Sequence, residues 1–346
     1  MSISSTGKRI TITDVARESG FSESTVSLVL NSSPKISEET RSKVLATIEK
    51  FGYRPNIQAR GLALKSSRVV SVVVPDIPHV LADGYFGEII SGICSQASES
   101  GYKMLVDIAD LKFVRTQEHI SLLATQRADG MLFVGSTLYD TYLSVFQEER
   151  HPFILVNHYF PNQKLNSIAM DFRESARKSA AHLLSLGHKV IGSIQGTNIQ
   201  TFIDFHDEFT KCLSQAGIPE SAMPWSDGRF GEASGFDAAR VLFTLNPDIT
   251  AIVCGNERMA AGALRFLHGK GLRVPQDVSL MCIEDVPSSI WISPKLTSVR
   301  HNLYELGAAC CKSVIALSRG EIKQITRLLP VELIQRDSTG PAPKKP

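Results

Sequence analysis

Carboxylate residues stand near the ends of several apolar segments in the second half of the chain. We expect four of them to gather at the ends of strands: Asp171, Glu257, Glu284 and Asp285. Paired carboxyl groups could supply a general acid and a general base, but they serve equally well as acceptors for the hydroxyl groups of a ligand. The chain contains no GxGxxG fingerprint, P-loop, GxSxG elbow or HExxH motif, which favours binding over catalysis. We therefore expect neither enzyme activity nor a cofactor.

The six cysteines could form disulfides, bind a metal or take part in redox chemistry. They lack the regular spacing of a disulfide framework, and they fall in apolar helix or strand patterns: Cys94, Cys212, Cys254, Cys282 and the adjacent pair Cys310 and Cys311. The adjacent pair has no further Cys or His at the spacing of a metal site. We expect buried, reduced thiols and no metal site.

The elements that position these residues follow from the apolar pattern. Strands are predicted first at 69–74, 103–108, 130–135 and 152–157, with helices near 84–100, 113–127 and 139–150. The alternation restarts with strands at 189–195, 250–254 and 278–283, and with helices near 172–187, 205–217, 233–245 and 256–270. This pattern predicts two similar lobes, each a parallel α/β sheet. Loops after the strands of two facing lobes would enclose a cleft for a ligand.

The composition is that of an ordinary folded chain. Its 346 residues, 43% hydrophobic and 21% charged, allow two or three domains of about 150 residues each. No apolar run approaches the roughly 18 to 20 residues that cross a bilayer, and the first residues lack the apolar region of a secretory signal. We expect a cytoplasmic protein without a membrane partner.

A basic segment precedes a mildly acidic body. Residues 1–68 contain 11 Lys and Arg against 6 Asp and Glu, whereas the net charge of the whole chain is only +2. On charge alone, this segment is either a module that binds a polyanion or a solvated basic arm.

Capping residues within 10–31 favour the first alternative. Thr11, with Asp14 three residues later, predicts the start of a helix, and Gly20 can take the left-handed conformation that ends it. Ser22 caps a second predicted helix with three inward-facing residues, Val26, Val29 and Leu30. A third helix begins at Ser37. The pattern predicts a helix-turn-helix that binds DNA, the alternative being a helical hairpin with a purely structural role.

Several stretches resemble the LacI/GalR (lactose repressor) family of bacterial transcriptional regulators. In the head they are TITDVARESGFSESTVSLVLN, ISEETRSKVLATIEKFGYRPN and ARGLA; in the body they are ADGMLFVGS, LLSLGHKVIGSIQG, EASGFDAARVL, CGNERMAAGALR, SPKLTSVR and LIQRDST. The likeness extends over residues 10–339. It implies an N-terminal all-α helix-turn-helix head and an α/β core of two doubly wound, periplasmic-binding-protein-like lobes, between which the chain crosses three times.

The resemblance also suggests domain boundaries. We expect a DNA-binding domain at 1–54, a hinge helix or linker at 55–67, a core for effector binding and dimerisation at 68–340, and a disordered tail at 341–346. Within the core, we expect the first lobe at about 68–169 and 296–327, and the second at about 170–295 and 328–340.

By this resemblance, the second helix of the head lies in the major groove of DNA. Glu23, Ser24 and Leu28 match the positions with which the family discriminates bases. Leu28 stands in place of a common arginine, so it can contact only an apolar group such as a thymine methyl, whereas Glu23 can accept a hydrogen bond from cytosine. The other expected DNA contacts are Thr11, Ser22, Thr25, Ser27, Asn31, Tyr53, Asn56, Ala59, Arg60 and Leu62.

Residues 55–65 resemble the family's hinge helix. Leu62 matches a leucine that the family inserts into the minor groove, which predicts a central pyrimidine-purine step, CG by analogy, because such steps unstack most easily. Gly61 disfavours a helix by about 1 kcal/mol relative to Ala, so we expect a hinge that is unusually disordered without DNA. The alternative is a flexible linker in which Leu62 has no role.

The family resemblance places a small-molecule effector in the cleft. The matching aromatic positions are Tyr85 and Phe86, which follow a long loop at 75–84, and Phe230. The matching polar positions are Asn157, Asp171, Asn256, Glu257, Glu284 and Asp285, of which Asp171 and Asn256 could instead cap helices. Phe205 stands where many members carry an arginine that clamps ligand hydroxyls or carboxylates. The effector is therefore a sugar by family analogy, a neutral or cationic compound of another kind, or absent.

These observations favour a transcriptional repressor that binds a palindromic DNA operator as a homodimer under the control of an effector. The chain ends without the apolar heptads of a tetramerising helix. The alternative is a solute-binding protein or an α/β enzyme with an incidental basic head.

Overall fold

A computed structural model describes residues 10–30, 33–54, 66–147 and 151–344 of the chain. It divides into two compact units, Met1–Ser67 and Arg68–Pro346, which we call the head and the core. The predictions made for Asn31, for the hinge segment 55–65 and for the last two residues of the tail lie outside the described residues.

The head contains three helices, α1 (Ile12–Ser19), α2 (Glu23–Leu30) and α3 (Glu38–Phe51). A capping box opens α1, because the Asp14 N–H donates to Thr11 Oγ1 while the Thr11 N–H donates to the Asp14 carboxylate. Gly20 ends α1 with a φ of 74°, a region that strains a residue with a Cβ. One valine from each helix is fully buried in the centre of the head: Val15, Val26 and Val44. The predicted helix-turn-helix is confirmed.

The first lobe of the core is built on a six-stranded sheet. Its strands are β1 (Val69–Pro75), β2 (Lys103–Ala109), β3 (Gly130–Val134), β4 (Phe153–Val156), β5 (Ser167–Met170) and β11 (Thr326–Leu329). All pairs are parallel, in the order β11-β5-β4-β3-β1-β2. The helices that accompany them are α4 (Gly84–Glu99), α5 (Leu111–Arg115), α6 (Glu118–Ala124) and α11 (Leu303–Ser318). The near-continuous valine run of β1 is buried, as is typical of a central parallel strand.

The second lobe repeats this arrangement. Its strands are β6 (Ile191–Gln195), β7 (Trp225–Asp227), β8 (Ala251–Cys254), β9 (Ser279–Cys282), β10 (Thr297–Arg300) and β12 (Glu332–Ile334). They lie in the order β12-β10-β9-β8-β6-β7, and only β12 is antiparallel to its neighbour. Its helices are α7 (Phe172–Ser185), α8 (Gln200–Gln215), α9 (Glu232–Leu245) and α10 (Glu257–Gly269). The predicted fold of two doubly wound lobes is confirmed.

The chain crosses between the two sheets after β5, after β10 and after β11. The second crossing corrects the expected boundary at 296, because β10 pairs with β9 and β12 and so belongs to the second lobe. β10 escaped prediction because its buried residues Thr297 and Ser298 are polar. Their burial is tolerated because groups far away in the sequence form hydrogen bonds with their polar atoms. For example, the backbone N–H of Thr297 donates to Ser338 Oγ at 2.8 Å.

Two predicted helices of the first lobe are also corrected. The segment 113–127 forms the two short helices α5 and α6, because Asp110 caps a helix that stops after one turn. The segment 139–150 is a 3-10 turn over Thr141–Gln147 where it is described. No helix in the described part of the chain has the length and apolarity needed to cross a membrane.

Helices α4 and α11 pack with their backbones in close contact. A Cβ on Gly92 of α4 would lie 2.0 Å from the carbonyl oxygen of Tyr304, and a Cβ on Gly307 of α11 would lie 2.1 Å from that of Ile89. Glycine is therefore required at both positions. This packing fixes α4, whose first residues carry Tyr85 and Phe86, against the rest of the first lobe.

Candidate functional site

Helix α2 presents one anchored face and one accessible face. Val26 and Val29 are buried in the head, whereas Glu23 and Ser24 are exposed, and Leu28 is 40% exposed. The hydroxyl of Ser22 accepts a hydrogen bond from the Thr25 N–H at 3.2 Å and so holds the first turn. The accessible face thus combines a carboxylate, a hydroxyl and an apolar side chain on a rigid helix, which suits contact with base edges.

The other expected DNA contacts have varied surroundings. Thr11 is exposed, although its side chain takes part in the α1 capping box. Thr25 and Ser27 are half-buried on α2, and Tyr53 packs against the apolar centre of the head. The remaining five residues lie outside the described part of the chain: Asn31, Asn56, Ala59, Arg60 and Leu62.

A cavity of about 730 Å³ lies between the two lobes of the core. Its lining comes from the segments that follow β1, β3 and β4 in the first lobe and β6, β7, β8 and β9 in the second. All of these strands end at the cavity with their carboxyl ends, where ligands bind in open parallel sheets. The volume is in the range of a small-molecule site.

Seven of the ten predicted effector residues line this cavity: Tyr85, Phe86, Asn157, Phe230, Asn256, Glu257 and Glu284. The Asn157 side chain donates to Tyr85 Oη at 3.1 Å and accepts from the Met170 N–H at 3.0 Å, which fixes both the amide and the phenol. Asn256 also caps α10 by accepting from the Met259 N–H at 2.8 Å. Asn256 therefore both caps a helix and lines the cavity.

Phe230 owes its position to a glycine. A Cβ on Gly196, which follows β6, would lie 1.9 Å from the Phe230 ring. Phe230 itself has a φ of 55°, an unusual value for a bulky residue, and its ring stands edge to face with that of Phe202 at 5.3 Å. Only glycine at position 196 leaves room for this aromatic pair in the cavity wall.

The other three predicted effector residues do not line the cavity. Asp171 caps α7, accepting from the Glu174 N–H at 2.8 Å. Phe205 is completely buried in the hydrophobic core and stacks on Phe209 with ring centroids 5.4 Å apart. Asp285 accepts hydrogen bonds from Arg336 at 2.6 and 3.0 Å, and this ion pair lies within the second lobe. We therefore correct these three assignments.

Glu284 and Asp285 are neighbours in the chain with opposite electrostatic surroundings. Burial strongly raises the pKa of the Glu284 carboxyl, and the carboxylates of Asp83 and Glu257 raise it further. Burial also raises the pKa of Asp285, but hydrogen bonds from Arg336 and Arg300 outweigh this effect and lower it. Glu284 lines the cavity with only 6% of its surface exposed.

Several polar residues of the cavity were missed by the sequence analysis, and two of them have no polar partner among the described residues. Ser136 follows β3 and His158 follows β4; both are buried, and neither the serine hydroxyl nor the histidine ring nitrogens have a hydrogen-bond partner within the described residues. Burial lowers the pKa of His158 to about 4, so the ring is neutral near pH 7. Their place directly after predicted strands was the signal that could have identified them.

Polar contacts join the lobes beside the cavity. Arg258 on α10 lies 3.3 Å from the carboxylate of Asp83, which also caps α4. On another side, the Leu138 N–H of the first lobe donates to the Asn198 carbonyl of the second at 2.8 Å. The long loop at 75–84 thus supplies one half of a bridge across the cavity mouth.

Comparisons with known proteins agree with both units of the structure. Residues 11–56 match the family described as bacterial regulatory proteins, lacI family, and residues 180–339 match a periplasmic binding protein-like domain. The HTH-type transcriptional repressor CytR of Escherichia coli (strain K12) is 30% identical over 337 residues, which cover 96% of this chain and 97% of CytR. The HTH-type transcriptional regulator DegA of Bacillus subtilis (strain 168) is 30% identical over 338 residues, which cover 96% of this chain and 99% of DegA.

A solved structure shows the same architecture. The lac repressor dimer bound to operator and the anti-inducer ONPF superposes with a TM-score of 0.84 at 27% identity, covering 96% of this chain and all of that one. The similarity thus includes the head, both lobes and nearly the full length. The chain belongs to the lacI family of bacterial regulatory proteins and is a DNA-binding transcriptional regulator with an effector-binding core, not an enzyme.

Proposed function

We propose that this regulator represses transcription in the cytoplasm by binding a palindromic operator as a homodimer, and that a small molecule in the interlobe cavity controls its affinity for DNA. The observation that carries the proposal is the accessible face of α2, on which Glu23, Ser24 and Leu28 are exposed while the opposite face is anchored in the head. A two-fold operator requires two such heads, and the structurally similar lac repressor is a dimer on its operator.

Each residue of this face has a distinct expected role. Leu28 packs on a thymine methyl, Glu23 accepts from cytosine N4, and Ser24 donates to or accepts from a base edge. Lys and Arg of the basic head, together with helix N-termini, hold the phosphates. In the hinge segment, Leu62 opens a central pyrimidine-purine step at a cost of a few kcal/mol, which contacts to the bent duplex offset.

The experiment that tests this proposal is selection of bound sequences from a random duplex library with the full-length protein. We expect an enriched palindrome with a central pyrimidine-purine step, bound at least about a thousandfold more tightly than its scrambled version. If no sequence is enriched and binding is only weak and steeply salt-dependent, specific recognition by the head is contradicted.

A pair of variants tests the role of Leu28. In Leu28→Arg, the new side chain can donate two hydrogen bonds to guanine, so the selected base at the contacted position should change to guanine with a preference of roughly 5- to 150-fold. Leu45→Arg is the matched control, because Leu45 on α3 is similarly exposed, at 46%, and receives the same charge. Equal shifts in both variants, or no shift in either, would remove Leu28 from the reading face.

A further inference from the structure

The cavity contains a buried carboxyl group that has no partner of its own. Glu284 follows β9 and is 94% enclosed, since only 6% of its surface is exposed. Among the described residues, no group donates a hydrogen bond to its carboxyl oxygens, and no cation lies within 4.0 Å of them; its backbone N–H alone forms a hydrogen bond, to Cys282 Sγ. A buried acid without a donor or a counter-charge is costly, so such groups are usually satisfied by a ligand or an ion.

The groups that face Glu284 make this cost greater. They come from four parts of the core, and none of those described is basic: Asp83 before α4, Tyr85 on α4, Glu257 on α10 and Cys282 on β9. The arginines of the cavity wall are exposed. Arg258 is paired with Asp83, and Arg229 stands in the segment after β7. Among the described residues, the groups around the Glu284 carboxyl therefore include acids and no cation, while both arginines of the cavity wall are exposed.

Other features of the wall also point to a ligand in the cavity. Ser136 Oγ and both ring nitrogens of His158 are buried beside the cavity and have no hydrogen-bond partner in the described part of the chain, and His158 is neutral near pH 7. Two aromatic pairs line the cavity, Tyr85 with Phe86 at 5.2 Å in the first lobe and Phe202 with Phe230 at 5.3 Å in the second. Ring faces of this kind accept both apolar groups and cations.

We infer that the effector is an organic cation, a molecule whose protonated amine or guanidinium group is bound by the Glu284 carboxylate and whose apolar part packs on the aromatic pairs. This inference rests on the proposed control by a small molecule in the cavity and names its chemical class. An anionic ligand would be repelled by the carboxylate of Glu257, and its charge would raise the pKa of Glu284 further. A neutral polyol would supply no counter-charge, so it would bind without release of the Glu284 proton.

A dependence on pH follows from the same geometry. Without ligand, burial and the two neighbouring carboxylates favour the protonated form of Glu284, so its pKa is raised. An ammonium group beside the carboxyl favours the ionised form instead, so the ligand binds with release of a proton. Affinity for an amine should therefore increase as the pH rises above 4.5, the ordinary value for the Glu carboxyl, for as long as the amine itself remains protonated.

The test uses the full-length protein and pairs of ligands in which hydroxyl groups replace the cationic groups. Titration calorimetry would compare tyramine with tyrosol, phenethylamine with phenethyl alcohol, and agmatine with a neutral diol of the same length, alongside glucose, galactose and cellobiose. We expect at least one amine to bind tenfold or more tightly than its alcohol, with affinity that increases with pH. The inference is overturned if no amine exceeds its alcohol, if a sugar binds more tightly than every amine, or if amine affinity does not change with pH.

Two variants link the effect to Glu284. Glu284→Gln keeps the size of the side chain and should lower amine affinity at least tenfold and abolish its pH dependence, while its thermal unfolding midpoint stays equal or rises because a buried acid is removed. Glu321→Gln is the control, since Glu321 is exposed at the end of α11 and does not line the cavity. Unchanged amine binding in Glu284→Gln would remove this residue from the site.

The DNA assay separates this inference from the proposed function. If the selected operator is bound and a sugar changes its affinity, the regulator mechanism stands and only the cationic class fails. If no duplex sequence is selected, or if no small molecule of either class changes affinity for the operator, the proposed function itself fails.

Discussion

Phe205 offers the sharpest test of the core, because the resemblance to the family and the structure give it different roles. The family's arginine at this position would face a ligand, whereas Phe205 is fully buried and stacks on Phe209. We expect Phe205→Ala to destabilise the core by about 3 to 5 kcal/mol, since an aromatic ring of roughly 200 Å² loses its contacts and leaves a cavity. At about 2 °C per kcal/mol for a domain of this size, the unfolding midpoint should decrease by roughly 6 to 10 °C.

The assay is calorimetric or fluorescence-detected thermal unfolding of the full-length protein, with operator affinity measured at a temperature where the variant is folded. Ile203→Ala is the matched control, because Ile203 lies on the same helix, α8, but is 37% exposed, so its cost should stay below about 1.5 kcal/mol. Equal midpoints for Phe205→Ala and the unchanged protein would refute the placement of this ring in the core. A ligand affinity altered tenfold without loss of stability would restore the effector role.

Three further predictions concern the core. Gly92→Ala should lower the free energy of unfolding by about 2 kcal/mol or more, because the new Cβ would lie 2.0 Å from a carbonyl oxygen of α11. Gly269→Ala is the control and should not destabilise the core, because the space around Gly269 is open. Thermal unfolding distinguishes the two variants. A double-mutant cycle of Asp83→Asn and Arg258→Gln should give a coupling energy below about 1 kcal/mol that disappears in high salt, because the Arg258 side chain is 60% exposed. Burial lowers the pKa of His301 to about 3. Below pH 6.5, this histidine is therefore protonated in the unfolded chain but remains neutral in the folded protein. Stability should therefore fall by about 1.4 kcal/mol per pH unit between pH 6 and pH 4, and a denaturation series on His301→Asn should show a reduced slope.

Local signals explain why the head and the central strands could be predicted from the sequence. The Thr11 capping box and Gly20 act within a few residues of the helix that they delimit, and both are found as expected. The valine run of β1 is buried on both faces of a parallel sheet, so its apolar character alone identified it. Such features need no knowledge of the rest of the fold.

Long-range polar contacts explain why one strand, β10, was missed. The buried hydroxyl of Thr297 on β10 is hydrogen-bonded to that of Thr339, which is also bonded to His182 on α7. A polar strand of this kind is stable only because its partners reach it in the folded core. The strand pattern in the sequence, which depends on apolar residues, cannot detect it.

The adjacent acids Glu284 and Asp285 show the same limit within the site. Successive residues point in different directions, so one carboxylate enters the cavity while the other is bound by Arg336, which is 51 residues away in the sequence. The sequence could place both at the end of β9 but could not decide which of them would meet a guanidinium group. That decision sets their chemistry: the paired acid has a lowered pKa and stabilises the second lobe, and the unpaired acid has a raised pKa. Because no described residue pairs with the Glu284 carboxyl, which lines the cavity, the search for the effector should begin at this residue.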